Sequence, residues 1–315
     1  MKTLQFGIIG VGRFGKHYVR LLADLPGVNL KSTANNAAEA RKLIRDPAID
    51  CVIIATPTTT HFDLINTAIG QGKHVLVEKP MVATAAEAGL IQSALANSPV
   101  TFMVGFQYVY NDYIRYLREL IQGDSLGKIL YILGEHLYCG PIRADVGCFT
   151  DACAHELSIL RYLFNPGQVK EVTGQSLHFG DLVHDDFTAA TVSFDGGLTA
   201  HLVASRFAPQ KTMRLTIVGE RATVVFDDMK TEEKISIFNH SYPATDGFQN
   251  STKSIAVESA VAVAPTIAAG EALRNQLEHF VQCVRTGEQP ITNIDFGSWV
   301  AEQTESVLKN VRKVS

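Results

Sequence analysis

The sequence predicts an α/β protein: a doubly wound parallel sheet followed by a second, strand-rich domain. Three observations carry this expectation. Strand and helix patterns alternate over the first third of the 315 residues, a glycine-rich turn follows the first strand directly, and the pattern changes to mostly strands after residue 122. The length exceeds one ordinary core, so two domains are expected, at 1–121 and 122–315.

Leu4–Ile9 is a short β-rich run. Tyr18, Val19, Leu21 and Leu22 give Lys16–Leu25 an apolar helical face, and Pro26-Gly27 stops it. Val28–Thr33 reads as strand and Ala37–Arg45 as helix. Cys51–Ala55 is a continuous apolar run, as expected for a parallel strand covered on both faces. Helices at Phe62–Gly70 and Ala85–Leu95 then alternate with strands at His74–Val77 and Val100–Gly105. Beyond them come a helix at Tyr113–Ile121, a strand at Ile129–Tyr138 and a helix at Thr150–Leu163, ended by Asn165-Pro166-Gly167. Strands are expected at Val169–His178, Phe187–Phe194, Leu198–Ser205, Met213–Val218, Thr223–Phe226 and Lys234–Phe238, with a hairpin turn at Asp195-Gly196-Gly197. Asn239–Ala268 reads as an irregular loop, and helices at Glu271–Arg285 and Ser298–Lys309 complete the pattern.

Hydrophobic residues make up 46% and charged residues 19%, which supports a sizeable core and argues against disorder. A net charge of −4 gives no electrostatic reason to expect a nucleic-acid or membrane-surface partner. Five scattered cysteines, with no Cys-x-x-Cys pair, do not make a disulfide framework. Met1-Lys2 leads into a strand rather than a signal peptide, and no apolar run has the length of a membrane span. A cytoplasmic, reducing location is expected.

Gly10-Val11-Gly12-Arg13-Phe14-Gly15 follows a strand and opens a helix, the context in which this pattern binds a dinucleotide. Gly10 permits the tight turn, Gly12 lets backbone approach a pyrophosphate, and Gly15 lets helix and strand pack closely. The helix N-terminus offers unpaired N–H groups and positive partial charge. Arg13 either assists a phosphate or is a surface side chain, and Phe14 is a further candidate for cofactor contact. The acidic residue expected about 20 positions on is replaced by Asn35, beside Asn36. Asn35 can bond a ribose but cannot repel a 2′-phosphate, so the cofactor is NAD or NADP with the preference open.

His74-Val75-Leu76-Val77 leads into Glu78-Lys79-Pro80, and a lysine at a strand end can reach a ligand crevice. With Gly10–Gly15, Ala55-Thr56-Pro57 and His61, Gly72-Lys73-His74-Val75, Val104-Gly105-Phe106, and Asp151 with His155, the sequence resembles the Gfo/Idh/MocA oxidoreductases over nearly its whole length. This family is named for glucose–fructose oxidoreductase and inositol dehydrogenase. The resemblance implies a Rossmann domain, an α+β domain with an open, predominantly antiparallel sheet, and a substrate site between them. It also implies homodimers or homotetramers formed through the C-terminal sheet. It gives Lys79 a catalytic or substrate-orienting role, and it makes Thr56, Pro57, His61 and Glu78 cofactor-lining, with Lys79 itself and Gln107 further cofactor-binding candidates.

Asp151 and His155 lie four apart and share a helix face. Spacing alone equally fits a helix-start Asp and a hydrogen-bonded, partly buried His. The resemblance, which carries the same Asp-x-x-x-His arrangement, points to His155 as general base, Lys79 as the group that positions the reacting oxygen, and Asp151 as orienting substrate or His155.

Three departures from the family pattern stand out. The stretch from Asn35 to Asp50 is short, so the sheet edge near the adenosine is expected to be reduced. Gln107-Tyr108-Val109-Tyr110-Asn111 lacks the arginine of many sugar-using members. Gly140-Pro141-Ile142-Arg143 resembles a sugar-nucleotide branch, with Arg143 either an anion binder or a loop side chain. Tyr108 and its neighbours either line the substrate site or pack. His136, Cys139, Cys148, Cys153 and His155 fit no zinc spacing, and no metal is expected. The expected activity is NAD(P)-dependent hydride transfer at a sugar, polyol or sugar-nucleotide carbon. The alternatives are a non-catalytic NAD(P)-binding regulator of the same fold, and a reductase of a non-sugar substrate.

Overall fold

Strand β1 (Leu4–Ile9) is buried except at Gln5, and α1 (Gly15–Asp24) covers it with Tyr18, Leu21 and Leu22, the spacing of one helical face. The computed structural model describes residues 2–140, 143–179, 183–241, 256–257 and 265–314. Next come β2 (Val28–Ala34) and α2 (Ala37–Arg45), which buries Ala40, Leu43 and Ile44. Leu43 lies so close to β1 that a Cβ on Gly7 would sit 2.5 Å from it, which accounts for the glycine within a strand. The alternation continues through β3 (Cys51–Ile54), α3 (His61–Gly70), β4 (His74–Glu78), α4 (Ala85–Leu95) and β5 (Phe102–Gly105).

These five strands form one parallel sheet in the order β2-β1-β3-β4-β5. Every residue of β3 and β5 is buried, as the continuous apolar runs predict. The strand order reverses beside β1, so the turns after β1 and β3 flank the switch point at which such sheets bind ligands. β2 is one of the two sheet edges, and α2 runs on to β3 with no further strand.

The second half opens with α5 (Asp112–Gln122) and β6 (Ile129–Cys139). A π-helical turn at Phe149–Cys153 then leads into α6 (Ala154–Phe164). The sequence reads this stretch as one regular helix. The observed turn takes in an extra residue around Asp151 before regular geometry resumes, a deviation that hydrophobic periodicity does not register. Asn165, in a left-handed conformation with φ 46°, ends α6 where the Asn-Pro-Gly signal places the stop.

The strands β7 (Val169–Leu177), β8 (Phe187–Phe194), β9 (Thr199–Ser205), β10 (Phe207–Gly219), β11 (Ala222–Asp227), β12 (Ile235–Ser241) and β13 (Ala256–Val257) come after it. The chain continues through α7 (Ala272–Thr286), α8 (Ile294–Asn310) and β14 (Arg312–Val314). The second sheet has the order β13-β12-β11-β10-β6-β9-β8-β7-β14, antiparallel except at β6–β9 and β7–β14. β8 alternates buried and half-buried residues, so one sheet face carries the core.

Three strand readings change. β10 starts at Phe207 rather than Met213, because Phe207 already pairs with Cys139 of β6 before the register shifts ahead of Thr212. The short β14 has no apolar pattern and forms by parallel pairing with β7. The expected loop Asn239–Ala268 is in part strand, since β12 runs to Ser241 and pairs with β13. Residues 242–255 and 258–264 of that loop lie outside the described residues.

The compact units differ from a division at residue 121. The first ends at Tyr110 and includes Gly270–Glu305, while the second spans Asn111–Ala269 and resumes at Ser306. Thr292 anchors the returning segment to β5, donating from its hydroxyl to the Val104 carbonyl at 2.7 Å and accepting from the Val104 N–H at 2.8 Å. Gly297 lets α8 approach closely, since a Cβ there would lie 2.8 Å from both Met81 and Val104. Among the described residues, no helix is long and apolar enough to cross a membrane.

Candidate active site

In the glycine loop the three glycines serve different ends. Gly10 has φ 93°, a conformation glycine favours, and a Cβ there would lie 2.6 Å from the Ala55 carbonyl oxygen. A Cβ on Gly15 would overlap the Gly10 carbonyl, whereas one on Gly12 would meet nothing within 4 Å. Gly12 therefore borders open space that a side chain would fill. Helix α1 begins there with no side-chain cap and no acidic residue in its first turn. By contrast, α2 is capped by Asn36 and α4 by a Thr84–Glu87 capping box. The α1 N-terminus thus keeps donors and positive partial charge for an anion, and the loop fits a dinucleotide pyrophosphate. Arg13 and Phe14 are exposed beside it.

Asn35, just after β2, accepts from the Val11 N–H at 2.8 Å through Oδ1. Its amide oxygen thereby ties the end of β2 to the glycine loop. The structure adds a residue the sequence reading missed: Glu39, whose Oε2 accepts from the Asn35 N–H at 2.9 Å. Its signal was the Asn36-x-x-Glu39 capping pattern, since the Glu39 N–H donates to Asn36 Oδ1 at 3.0 Å.

Thr56 and Pro57 follow β3, and the Thr60 hydroxyl donates to Thr56 Oγ1 at 2.7 Å. His61 is buried, with ring nitrogens 2.9 Å from the Pro80 and Thr56 carbonyl oxygens. It ties the turn after β3 to the turn that carries Lys79. Lys79 is half-buried and precedes Pro80 through a cis peptide bond. Glu78 is buried: Oε1 accepts from the Tyr18 hydroxyl at 2.6 Å and Oε2 from the Lys79 N–H at 3.2 Å. Gln276, on the returning α7, donates to the Tyr18 hydroxyl at 2.8 Å. Gly105 makes room for this carboxylate, since a Cβ there would lie 3.0 Å from Glu78 Oε1. Gln107 is half-buried and Tyr108 buried in the short turn after β5.

In the second unit, Arg143, Asp151 and His155 belong to one polar region. Arg143 donates to Asp151 Oδ1 at 3.0 Å and grips Asp145 through two bonds of 2.6 and 2.9 Å. The Tyr138 hydroxyl donates to Asp151 Oδ2 at 3.3 Å. Burial, followed by the charge of Asp151, raises the Tyr138 pKa, so the phenol remains protonated and donating. His155 is buried, and the His136 ring stacks on it at 5.7 Å and 14°. His136 in turn lies 3.1 Å from the fully buried Glu156 carboxylate. Gly134 on β6 accommodates Glu156, whose Cγ would be 3.1 Å from an added Cβ.

A buried network anchors the start of this helix. Asp185 Oδ2 accepts from the Cys148 thiol at 3.0 Å, the Phe149 N–H at 2.9 Å and the Thr188 hydroxyl at 2.8 Å. Arg206 pairs with Asp186 at 2.6 Å beneath it. Pro141 and Ile142 lie outside the described residues. Among the described residues, no group of three or more His, Cys, Asp or Glu could hold a metal ion.

Two family models match the chain. Residues 27–106 match the Gfo/Idh/MocA oxidoreductase family, NAD-binding Rossmann fold, and residues 114–225 match the Gfo/Idh/MocA C-terminal domain. The chain belongs to the Gfo/Idh/MocA oxidoreductase family. It is 26% identical to scyllo-inositol 2-dehydrogenase (NAD(+)) of Bacillus subtilis, over 93% of this chain and 90% of that one. It is 27% identical to UDP-N-acetylglucosamine 3-dehydrogenase of Acidithiobacillus ferrooxidans, over 72% of this chain and 75% of that one. A solved structure of the enzyme of that name from Acidithiobacillus ferrooxidans shares the fold, with a TM-score of 0.81, 20% identity, and coverage of 99% of this chain and 98% of that one. This Gfo/Idh/MocA protein is thus an oxidoreductase with an NAD-binding Rossmann domain, and the Gly10–Gly15 loop with α1 has the form that domain requires.

Proposed function

We propose that this protein is a dehydrogenase that transfers a hydride between a nicotinamide dinucleotide and an alcohol carbon of a cyclic polyol, sugar or sugar nucleotide. The observation that carries the reading is the polar region built on β6 and the Asp151 turn. A carboxylate held by Arg143 and Tyr138 lies one helical turn from His155, an arrangement suited to binding hydroxyl groups and moving a proton. The relatives named for inositol and UDP-N-acetylglucosamine support the substrate class.

Gly10, Gly12, Gly15 and the α1 N-terminus hold the pyrophosphate, and Asn35 meets the ribose. When bound, the nicotinamide supplies the hydride acceptor, or the donor in reverse. His155 takes the hydroxyl proton at a ring nitrogen as the carbinol carbon becomes a carbonyl. Lys79 positions that oxygen and stabilises the negative charge developing on it. Asp151 orients a neighbouring hydroxyl. Exposed Leu130, Tyr131 and Leu133 on β6 support self-association through the second sheet, which light scattering measures. Five free cysteines support a reducing, cytoplasmic location.

The test is nicotinamide absorbance with a panel of inositols, aldoses and UDP-sugars. Turnover with any of them supports the reading. Tight nucleotide binding without turnover on the whole panel favours a regulator or a non-sugar substrate.

A further inference from the structure

We propose that Glu39 replaces the missing acidic residue at the end of β2 and makes NAD(H) the preferred cofactor over NADP(H). The inference rests on a nicotinamide dinucleotide occupying the Gly10–Gly15 loop.

In a Rossmann domain the adenosine ribose is read just beyond β2, where a carboxylate accepts from the ribose hydroxyls and repels a 2′-phosphate. Here Asn35 holds that position, and its Oδ1 is already bonded to the Val11 N–H at 2.8 Å. With its oxygen so placed, Asn35 offers an N–H donor, which suits a ribose hydroxyl and a phosphate alike. It makes no choice between the two cofactors.

The choice falls to the next anionic group. Glu39 stands in the first turn of α2, and its side chain folds back across the β2–α2 turn. Its Oε2 accepts from the Asn35 N–H at 2.9 Å, while its own N–H donates to Asn36 Oδ1 at 3.0 Å. These two bonds hold the exposed carboxylate against the Asn35 backbone at the start of α2. The N–H of Asn35, followed by the Asn36 side chain, draws the Glu39 pKa below its ordinary value, so the group is fully ionised at neutral pH. A 2′-phosphate would bring a second anion of about two charges to this corner, and like charges a few ångströms apart repel even in water. Arg13, exposed on the glycine loop, carries the opposite charge, so the measured preference is the balance of the two.

Glu39→Gln removes the charge and keeps a side-chain oxygen able to accept from the Asn35 N–H, so the turn is retained. The dissociation constants of NADH and NADPH are measured on the full chain by titration calorimetry, without substrate, and thermal midpoints check folding. The wild-type protein is expected to bind NADH about tenfold more tightly than NADPH. Glu39→Gln should narrow that ratio about fivefold, mainly by tightening NADPH. A second arm uses the wild-type protein alone: raising ionic strength from about 0.01 M to about 1 M shortens the screening length from about 30 Å to about 3 Å and should shrink the ratio. Equal binding of both nucleotides by the wild-type protein, a preference for NADPH, or a ratio that neither Glu39→Gln nor salt alters, overturns the proposal. Absence of binding by either nucleotide overturns it together with the dinucleotide reading, an outcome distinct from equal binding of both.

Discussion

The Tyr18 hydroxyl donates to Glu78 Oε1 at 2.6 Å in the interior of the first unit. This bond joins α1, the helix that begins at the glycine loop, to the strand end that presents Lys79. Gln276 completes it from α7, so the returning C-terminal segment holds the same carboxylate in place through Tyr18.

Replacing Tyr18 by phenylalanine keeps the ring and deletes the donor, leaving a buried carboxylate short of a partner. A loss of about 1–3 kcal/mol is expected from urea denaturation. Unaltered stability would show that the bond contributes nothing net.

The same residue gives an alkaline signature. Burial, then the charge of Glu78, raises the Tyr18 pKa well above its ordinary value of 10.0. A raised folded-state pKa means the unfolded chain releases this proton first. The stabilisation is therefore complete below about pH 10 and is lost as pH climbs beyond it. Denaturation midpoints measured across that range should fall with pH in the wild-type protein, and less steeply in Tyr18→Phe.

Gly12 and Gly15 separate binding from folding. A methyl group on Gly12 meets nothing, so Gly12→Ala should leave apo stability within about 0.5 kcal/mol while weakening nucleotide binding. A methyl group on Gly15 strikes the Gly10 carbonyl, so Gly15→Ala should lose both stability and binding. Equal loss of stability in the two variants would remove the assignment of Gly12 to the cofactor.

Cysteine chemistry should be quiet. Cys51, Cys148, Cys153 and Cys283 are buried, and desolvation raises all four thiol pKa values; Cys139 alone is exposed. Labelling of the folded protein with a thiol reagent should modify at most one group rapidly, at Cys139. A second rapid site at Cys148 or Cys153 would mean that the second unit opens around the Asp185 network.

Local patterns made most of the first sheet legible. Apolar runs at Cys51–Ile54 and Phe102–Gly105 can be little else than buried strands, and the glycine turn after β1 marks where α1 begins. The features that stayed hidden depend on contacts between distant residues. Tyr18 and Gln276 are 258 positions apart, and neither pattern announces the other. The π-helical turn around Asp151 is held at its start by Asp185, which accepts from the Cys148 thiol and the Phe149 N–H from a different part of the chain. Arg143 shows the same limit: the residue is visible as a loop arginine, but its grip on Asp145 and Asp151 is a property of the folded region. Glu39 was legible as a helix cap, yet its bearing on Asn35 required the turn itself.

The most direct test concerns Lys79 and His155. Hydride transfer is measured by nicotinamide absorbance with the best polyol or sugar of the panel, while NAD(H) affinity is measured separately on the same proteins. Lys79→Ala and His155→Ala should each lower kcat by about 10²–10⁴-fold, with NAD(H) affinity changed less than about threefold. Turnover close to wild type in His155→Ala would contradict the assignment of the proton transfer.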